Sequence, residues 1–168
     1  KSRLFSSSDL QSIAKKAMVE RMKKEYDMDW FAEDGVSYPV RIFLYKDEVT
    51  VALDTTGESL HKRGYRYLGG KAPLAETLAA ALILLTPWRA DRILVDPLCG
   101  SGTFLIEAAM IAANIAPGMR RHFLSEKWDN LIPQCLWEEC FAEAEDMVDL
   151  DVKTDLQGYD IDGDMIKA

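Results

Sequence analysis

The chain has 168 residues, 48% of them apolar, which is enough for one packed domain or for parts of two. It contains no run near the ~18 consecutive apolar residues of a membrane helix, no signal-peptide pattern at its start and no CxxC pair among its three cysteines. We therefore expect a cytoplasmic protein with no membrane segment, no disulfide framework and no metal site. The net charge of −8 argues against a nucleic-acid partner. The charge is unevenly distributed, however, because residues 1–71 carry +2 and residues 72–168 carry −10. This asymmetry is compatible with binding of nucleic acid by the first part of the chain.

The first part of the chain predicts a helix and a β-hairpin. Ser8 and Gln11 match a capping box, and apolar residues recur at helical spacing from there to about Tyr26. Alternating residues in 38–45 and 49–53, joined by a short polar link, predict two antiparallel strands. This α+β piece is too small to be a stable domain alone.

A polar segment punctuated by glycines, residues 54–72, separates the two parts of the chain, and we place the domain boundary there. Pro73 suits the first turn of an apolar helix that we predict over residues 74–85. A short strand that ends at Asp96, a glycine turn and a second apolar helix over residues 103–114 come next.

An acidic and aromatic stretch, residues 117–150, follows the second apolar helix. A further helix is predicted within it, over residues 135–147, and a second strand is predicted over residues 153–161. The order helix, strand, glycine turn, helix and strand is typical of a doubly wound α/β sheet.

The glycine turn carries the main chemical signal of the sequence. Its residues are Asp96, Pro97, Leu98, Cys99, Gly100, Ser101, Gly102 and Thr103. The two glycines allow a tight turn and a close approach of the backbone to a ligand, and the helix that follows offers free N–H groups. Such a turn suits a nucleotide or a carboxylate as ligand. Cys99, within the turn, is expected to be a small packing residue and not a nucleophile.

The residues around the turn separate three classes of ligand. A phosphate-binding P-loop needs a Lys before Thr103, and a dinucleotide fold needs Gly or Ala at the position of Leu105, so ATP, GTP and NAD are disfavoured. The carboxylate of Asp96 would repel a pyrophosphate and attract a cation. S-adenosylmethionine carries both an amino group and a sulfonium cation, and it is the cofactor that we expect.

Further acidic residues complete the predicted site. Asp160 ends the second strand, where a carboxylate is able to accept hydrogen bonds from both ribose hydroxyls. Asp162 either contacts the ligand or, slightly favoured, caps the helix that follows. Glu107 is the only charge in the second apolar helix, and we expect it to accept hydrogen bonds from backbone N–H groups of the turn. A surface charge is the alternative, which the apolar residues around it disfavour. The predicted cofactor-binding residues are Asp96, Pro97, Cys99, Gly100, Ser101, Gly102, Thr103, Glu107, Asp160, Ile161 and Asp162.

A basic and aromatic cluster lies in the boundary segment. Its members are His61, Lys62, Arg63, Tyr65, Arg66 and Tyr67. Cations of this kind bind phosphates and aromatic rings stack on bases, so these residues are candidates for contacting RNA. The equally favoured alternative is that they dock the two parts of the chain through salt bridges to the acidic rear.

Taken together, these motifs resemble those of bacterial THUMP-domain RNA methyltransferases. The turn and its continuation to Ala109 resemble the family's first motif, and residues 60–66, 72–80 and 114–118 resemble its interdomain segment, its first methyltransferase helix and a further family segment. The resemblance implies that residues 1–58 are the C-terminal part of a THUMP RNA-binding domain, residues 59–72 a linker and residues 73–168 the N-terminal part of a Rossmann-like class I methyltransferase domain.

The resemblance also implies an activity. The subgroup with the greatest similarity uses S-adenosylmethionine to methylate guanine N2 in large-subunit ribosomal RNA, and its members are often labelled as adenine-N6 DNA methylases. The family's catalytic Asn/Asp-Pro-Pro-Tyr/Phe motif does not occur in this sequence, so we expect the cofactor half of the site and no catalytic residue. An adenine-N6 DNA methyltransferase and a non-catalytic RNA-binding module stay as alternatives, and the oligomeric state is left open.

Overall fold

The computed structural model describes residues 2–66 and 74–167, so Tyr67 and Pro73 lie outside the described residues. The chain divides into two compact units, Lys1–Thr55 and Thr56–Ala168. The elements in chain order are α1 (Ser7–Tyr26), β1 (Val40–Tyr45), β2 (Glu48–Leu53), α2 (Glu76–Leu84), β3 (Leu94–Asp96), α3 (Thr103–Ala112), a 3-10 turn (Leu124–Lys127), α4 (Gln134–Asp146), β4 (Leu156–Gly158) and α5 (Gly163–Ile166).

The first unit consists of α1 and the β1–β2 hairpin. The predicted capping residue Ser8 is wrong: Ser6 caps α1, because its hydroxyl accepts a hydrogen bond from the Asp9 N–H at 3.3 Å. The hairpin is confirmed, with β1 and β2 antiparallel and Tyr45 opposite Glu48. Lys46 and Asp47 connect the strands with φ angles of 50° and 64°, the double positive φ of a turn whose twist matches that of the strands.

The second unit is built around two parallel strands and two apolar helices. β3 pairs with β4, with Leu94 opposite Leu156 and Asp96 opposite Gly158. α2 and α3 pack against each other, and among the described residues the buried apolar core comprises Ala79, Ile83, Ala108, Ala113 and Trp128. The helix–strand–helix–strand order predicted from the sequence is confirmed in this unit, and it brings the ends of β3 and β4 side by side.

A close contact at Gly158 explains how α3 packs against the sheet. A Cβ atom at Gly158 would overlap Cδ1 of Leu105 and would lie 3.0 Å from Sγ of Cys99. A dinucleotide fold uses a small residue on the helix for such close packing, whereas here the glycine is on the strand and the helix carries Leu105. Cys99 is the packing residue that we expected, and burial, followed by the charges of Asp96 and Asp160, raises the pKa of its thiol.

Residues 56–66, which we call the connecting segment, pack against the rest of the second unit. The carbonyl of Thr56 accepts a hydrogen bond from the Leu124 N–H at 3.3 Å. The guanidinium of Arg121 donates to the carbonyls of Ser59 and Lys62 at 2.9 and 3.1 Å. The described part of the predicted linker therefore belongs to the compact unit that contains β3 and β4.

The described residues contain neither a membrane-spanning helix nor a cluster of metal-binding side chains. No helix there is long and apolar enough to cross a membrane. No group of three or more His, Cys, Asp or Glu side chains in the same residues is arranged to hold a metal ion.

Candidate functional site

The glycine loop, residues 96–102, leaves the end of β3 in a tight turn. The Leu98 N–H donates to Oδ1 of Asp96 at 3.1 Å, and the Gly102 N–H donates to the Cys99 carbonyl at 2.8 Å. Gly100 and Gly102 have φ angles of 54° and 76°, which favour glycine strongly. A Cβ atom at either position would meet no protein atom within 4 Å, so the loop has open space where a ligand is able to approach its backbone.

The end of β4 is tied to this loop. The Cys99 N–H donates to the Tyr159 carbonyl and the Tyr159 N–H donates to the Asp96 carbonyl, each at 2.9 Å. The Asp160 carboxylate accepts from the Gly100 N–H through Oδ2 at 2.8 Å and from the Asp162 N–H through Oδ1 at 2.9 Å. These backbone hydrogen bonds, that of Asp162 first, lower the pKa of Asp160 from its ordinary value of 3.8. Asp160 is therefore ionised at neutral pH.

The hydrogen bonds of Asp160 leave it able to bind a ligand. Each carboxylate oxygen has two lone-pair directions, and each accepts one of the hydrogen bonds just described. The backbone N–H of Ile161 contributes to the lowered pKa as well, and the carboxylate keeps acceptor capacity for a hydroxyl group of a ligand. The structure thus brings the two predicted acids, Asp96 and Asp160, to the two sides of the same glycine loop.

Asp162 and Ile161, which also follow β4, have different roles. Asp162 is the N-cap of α5 and accepts from the Asp164 N–H at 3.0 Å, so the capping interpretation is confirmed. Ile161, between the two aspartates, has a fully exposed side chain. An exposed apolar residue at this edge offers a surface that a flat ring is able to cover.

Two predicted cofactor residues have side chains that are engaged elsewhere. Thr103 is 5% exposed, and its hydroxyl accepts a hydrogen bond from Nη2 of Arg66 at 2.8 Å. Glu107 is 1% exposed, accepts from the Tyr65 hydroxyl at 2.8 Å and pairs with Nη2 of Arg63 at 3.2 Å. The prediction that Glu107 binds backbone N–H groups of the loop is wrong, because the first turn of α3 separates it from them and its partners lie in the connecting segment.

Burial has the largest effect on the pKa values of Glu107 and of its partner Tyr65. It raises the pKa of Glu107, and the hydrogen bond from Tyr65 and the charge of Arg63 oppose that shift. Burial together with the adjacent Glu107 raises the pKa of Tyr65 far above its usual value of 10.0. The Tyr65 hydroxyl therefore stays protonated at neutral pH and acts as a hydrogen-bond donor to Glu107.

Three of the five described members of the basic cluster contact buried acidic side chains. Arg63 and Tyr65 bind Glu107, and Arg66 pairs through Nη1 with Oε1 of Glu76 at 3.4 Å. Glu76 is only 4% exposed. These contacts join residues of one compact unit, and the acids are the lone charges of two apolar helices. Docking of the two parts of the chain onto each other stays a prediction.

The other two members, His61 and Lys62, line an open cleft. Lys62 is exposed and pairs with Glu58 at 3.2 Å. The opposite part of the cleft is formed by Arg120, Arg121 and His122, sixty residues farther along the chain. Sequence reasoning missed these three residues. The available signal was an Arg-Arg-His run inside a half of the chain that carries −10.

Comparison with known proteins assigns the family. Residues 63–168 match the family described as RMKL-like, methyltransferase domain. The chain belongs to this family. The RMKL-like domain begins inside the connecting segment and contains the glycine loop together with both strands that flank it.

Relatives of this RMKL-like chain are longer than the chain itself. "Putative RNA methyltransferase YpsC" of Bacillus subtilis (strain 168) is 48% identical over 169 residues, which is 99% of this chain and 44% of that protein. "Ribosomal RNA large subunit methyltransferase K/L" of Vibrio cholerae serotype O1 is 45% identical over 127 residues, which is 73% of this chain and 17% of that protein. The chain therefore spans less than half the length of these curated relatives.

A solved structure supports the fold assignment. SMU.472, described as "a putative methyltransferase complexed with SAH", superposes with a TM-score of 0.90 and is 43% identical, over 98% of this chain and 44% of that one. The predicted methyltransferase-type α/β fold is confirmed. The assignment of the first unit to a THUMP domain stays a prediction.

Proposed function

We propose that this chain supplies the cofactor-binding half of an S-adenosylmethionine-dependent RNA methyltransferase that acts on guanine N2 of large-subunit ribosomal RNA. The observation that carries the proposal is the glycine loop with open space in front of Gly100 and Gly102 and a carboxylate, Asp96 and Asp160, on each side. The names of the Bacillus and Vibrio relatives support RNA, and specifically ribosomal RNA, as the substrate class.

The residues present fit S-adenosylmethionine. Open space over two glycines with positive φ lets a ligand lie directly against the loop backbone. The Asp160 carboxylate has acceptor capacity left for ribose hydroxyls, and among the described residues Asp96 accepts only through Oδ1, which leaves its other oxygen beside the loop for the amino group. The complex of SMU.472 with SAH supports the same class of ligand.

Each side chain has a defined task in this arrangement. Asp96 and Asp160 orient the two polar ends of the cofactor, and Ile161 offers an apolar face to its adenine ring. When bound, the cofactor supplies an electrophilic methyl group on a sulfonium centre. Pro97 and Ser101 complete the loop, and Cys99 packs beneath it against Gly158 and stays a protonated thiol.

The acceptor side of the reaction involves other residues. We propose that the Asn/Asp-Pro-Pro-Tyr/Phe motif, which positions an exocyclic amine in the family that these motifs resemble, lies outside these 168 residues. Enzymes that modify an exocyclic amine flip the base out of its stack. We also propose that the first unit belongs to a THUMP domain, because the motifs of the chain resemble those of the THUMP-domain family and the unit consists of a helix and a hairpin.

The target assay uses the complete gene product. Protein-free large-subunit ribosomal RNA is incubated with the enzyme and isotopically labelled S-adenosylmethionine, then digested to nucleosides and analysed by mass spectrometry. The proposal predicts label in N2-methylguanosine. Label in N6-methyladenine of a DNA substrate, with none in the RNA, would replace it with the DNA alternative, and no label in either would favour the non-catalytic one.

A further inference from the structure

An open cleft of about 680 Å³ lies beside the connecting segment, within the second compact unit. One wall is formed by the connecting segment and the start of α2, and the other by the residues that follow α3. The cationic side chains that line it are Lys62, Arg63, Arg66, Arg120 and Arg121. We call this feature the basic cleft.

The basic cleft is positive in a chain whose net charge is −8. Five cations line it against two carboxylates, Glu58 and Glu76, which are already paired with Lys62 and Arg66. Arg63 is paired with Glu107, which is not among the lining residues. Arg120 is exposed and forms no ion pair with the residues that the structure describes. The cleft therefore retains a positive charge that its own acids do not neutralise.

Two of these arginines have hydrogen-bonding capacity left over. The side chain of Arg63 is 9% exposed, yet its Nε–H has no hydrogen-bond partner among the described residues, and the same is true of the buried Nε–H of Arg121. A buried donor without a partner costs about 1–3 kcal/mol. Oε2 of Glu76 is also unpaired, but Arg66 holds the other oxygen of that carboxylate. In the wall of the cleft, Arg63 and Arg121 therefore have more hydrogen-bond donors than the described acceptor atoms around them satisfy.

The position of the arginines is built into the fold. Arg121 is held by the carbonyls of Ser59 and Lys62 and stacks over the Phe123 ring with its guanidinium carbon 5.0 Å from the ring centroid. The backbone at Arg120 touches Gly64 so closely that a Cβ atom there would overlap the Arg120 carbonyl. Cations from two segments sixty residues apart are thus fixed on one surface, whereas most surface arginines are free to move.

We propose that the basic cleft binds phosphodiester groups of the RNA backbone. An anionic oxygen would bind the exposed guanidinium of Arg120 and would neutralise the excess charge of the cleft. Among the described residues the rings of the lining are the imidazoles of His61 and His122, and the five cations outnumber them, which favours contacts to phosphate. This assignment rests on the proposed RNA methyltransferase function and adds Arg120 and Arg121 to the RNA surface.

The experiment measures binding of a fluorescent ribosomal RNA fragment to the complete protein by anisotropy at several salt concentrations. Arg120→Ala and Arg120→Glu are compared with Arg89→Ala, which removes an exposed arginine of the same unit outside the cleft. We expect Arg120→Ala to weaken binding about three-fold to ten-fold and to reduce the slope of log affinity against log salt by about 0.7–0.9, the contribution of one phosphate contact. Arg120→Glu should have a larger effect, and Arg89→Ala should match the wild type.

A phosphate titration, calorimetry with S-adenosylmethionine and a methylation assay separate the possible reasons for a negative result. If both Arg120 variants bind RNA with wild-type affinity and salt slope, the proposal is overturned. If inorganic phosphate titrates the cleft in the wild type and RNA affinity is unchanged in the variants, the cleft is a small-anion site and the RNA assignment is wrong. Calorimetric binding of S-adenosylmethionine to each variant confirms that the fold is intact. A wild-type protein that binds RNA through Arg120 but methylates none would contradict the proposed function and leave the cleft assignment standing.

Discussion

Arg66 donates a hydrogen bond to the hydroxyl of Thr103 at 2.8 Å, and Thr103 is the first residue of the helix that follows the glycine loop. The same guanidinium pairs with Glu76, the first residue of α2. One arginine of the connecting segment therefore fixes the starts of both helices that pack together in the second unit. This places Arg66 in the support of the helix that follows the glycine loop.

The first prediction concerns Arg66. Arg66→Ala removes the hydrogen bond to Thr103 and leaves the carboxylate of Glu76 buried without its cation. We expect the free energy of unfolding to fall by about 2–4 kcal/mol, measured by urea denaturation, because a buried charge without its partner is costly. The matched control is Arg21→Ala, which breaks an exposed pair with Glu25 and should cost no more than about 0.5 kcal/mol. Equal effects of the two variants would contradict a supporting role for Arg66.

The second prediction concerns the contact between Gly64 and Arg120. Gly64 has a φ of +85°, and a Cβ atom there would overlap the Arg120 carbonyl, so Gly64→Ala is both strained and overpacked. We expect a loss of about 2–4 kcal/mol in the free energy of unfolding. Gly35→Ala is the control, since a Cβ atom at Gly35 meets nothing within 4 Å. A Gly64→Ala protein as stable as Gly35→Ala would show that the connecting segment does not pack as described.

The third prediction separates stability from cofactor binding at Gly102. The φ of +76° makes alanine unfavourable there by about 1–2 kcal/mol, but no protein atom lies within 4 Å of the added methyl group. Gly102→Ala should therefore remain folded and lose at least ten-fold in affinity for S-adenosylmethionine, because the methyl group occupies the space in front of the loop. Gly163→Ala, which has no positive φ and an open surrounding, should keep wild-type affinity. Thermal denaturation and calorimetry on the same samples measure the two effects, and an undiminished affinity of Gly102→Ala would place the cofactor elsewhere.

The fourth prediction concerns pH. Backbone hydrogen bonds from Asp162 and Gly100 lower the pKa of Asp160 below 3.8, so the folded protein binds the proton of Asp160 less tightly than the unfolded chain does. The resulting stabilisation is fully present above the unfolded-state pKa and is lost as pH falls through the lower folded-state pKa. Titration of the labelled Asp160 carboxyl carbon by NMR should give a midpoint below 3.8. A midpoint at or above that value would mean that the loop does not donate these hydrogen bonds.

The glycine loop and the hairpin were predictable from the sequence because both are local. Positive φ at Gly100 and Gly102 and the turn between β1 and β2 depend on neighbouring residues only, although the link was predicted to include Glu48, which is the first residue of β2. The start of α1 was predicted two residues late, because Ser6 and Ser8 are both good capping residues and the sequence does not rank them.

The contacts of Glu107 and the basic cleft were not predictable in the same way. The partners of Glu107 are Arg63 and Tyr65, more than forty residues away, and only the packing of α3 determines which of its faces meets them. Arg120 and Arg121 reach the cleft because the chain doubles back after α3, and no local pattern marks that return. Asp160 was found because parallel strands deliver their carboxyl ends to one edge, although the strand predicted over residues 153–161 is shorter and Asp160 lies two residues beyond its end at Gly158.

The most direct test of the account is a calorimetric titration of S-adenosylmethionine into the complete protein and its Asp160→Ala variant. The Asp160→Ala variant lacks both the hydrogen bond from the loop and the carboxylate that would hold the ribose hydroxyls. We therefore expect its affinity for S-adenosylmethionine to fall by about ten-fold to one hundred-fold, the cost of charged hydrogen bonds. Asp129→Ala, which removes an exposed acid of the same unit, should leave affinity unchanged. Equal affinity in the wild type and in Asp160→Ala would contradict a cofactor site between the ends of β3 and β4.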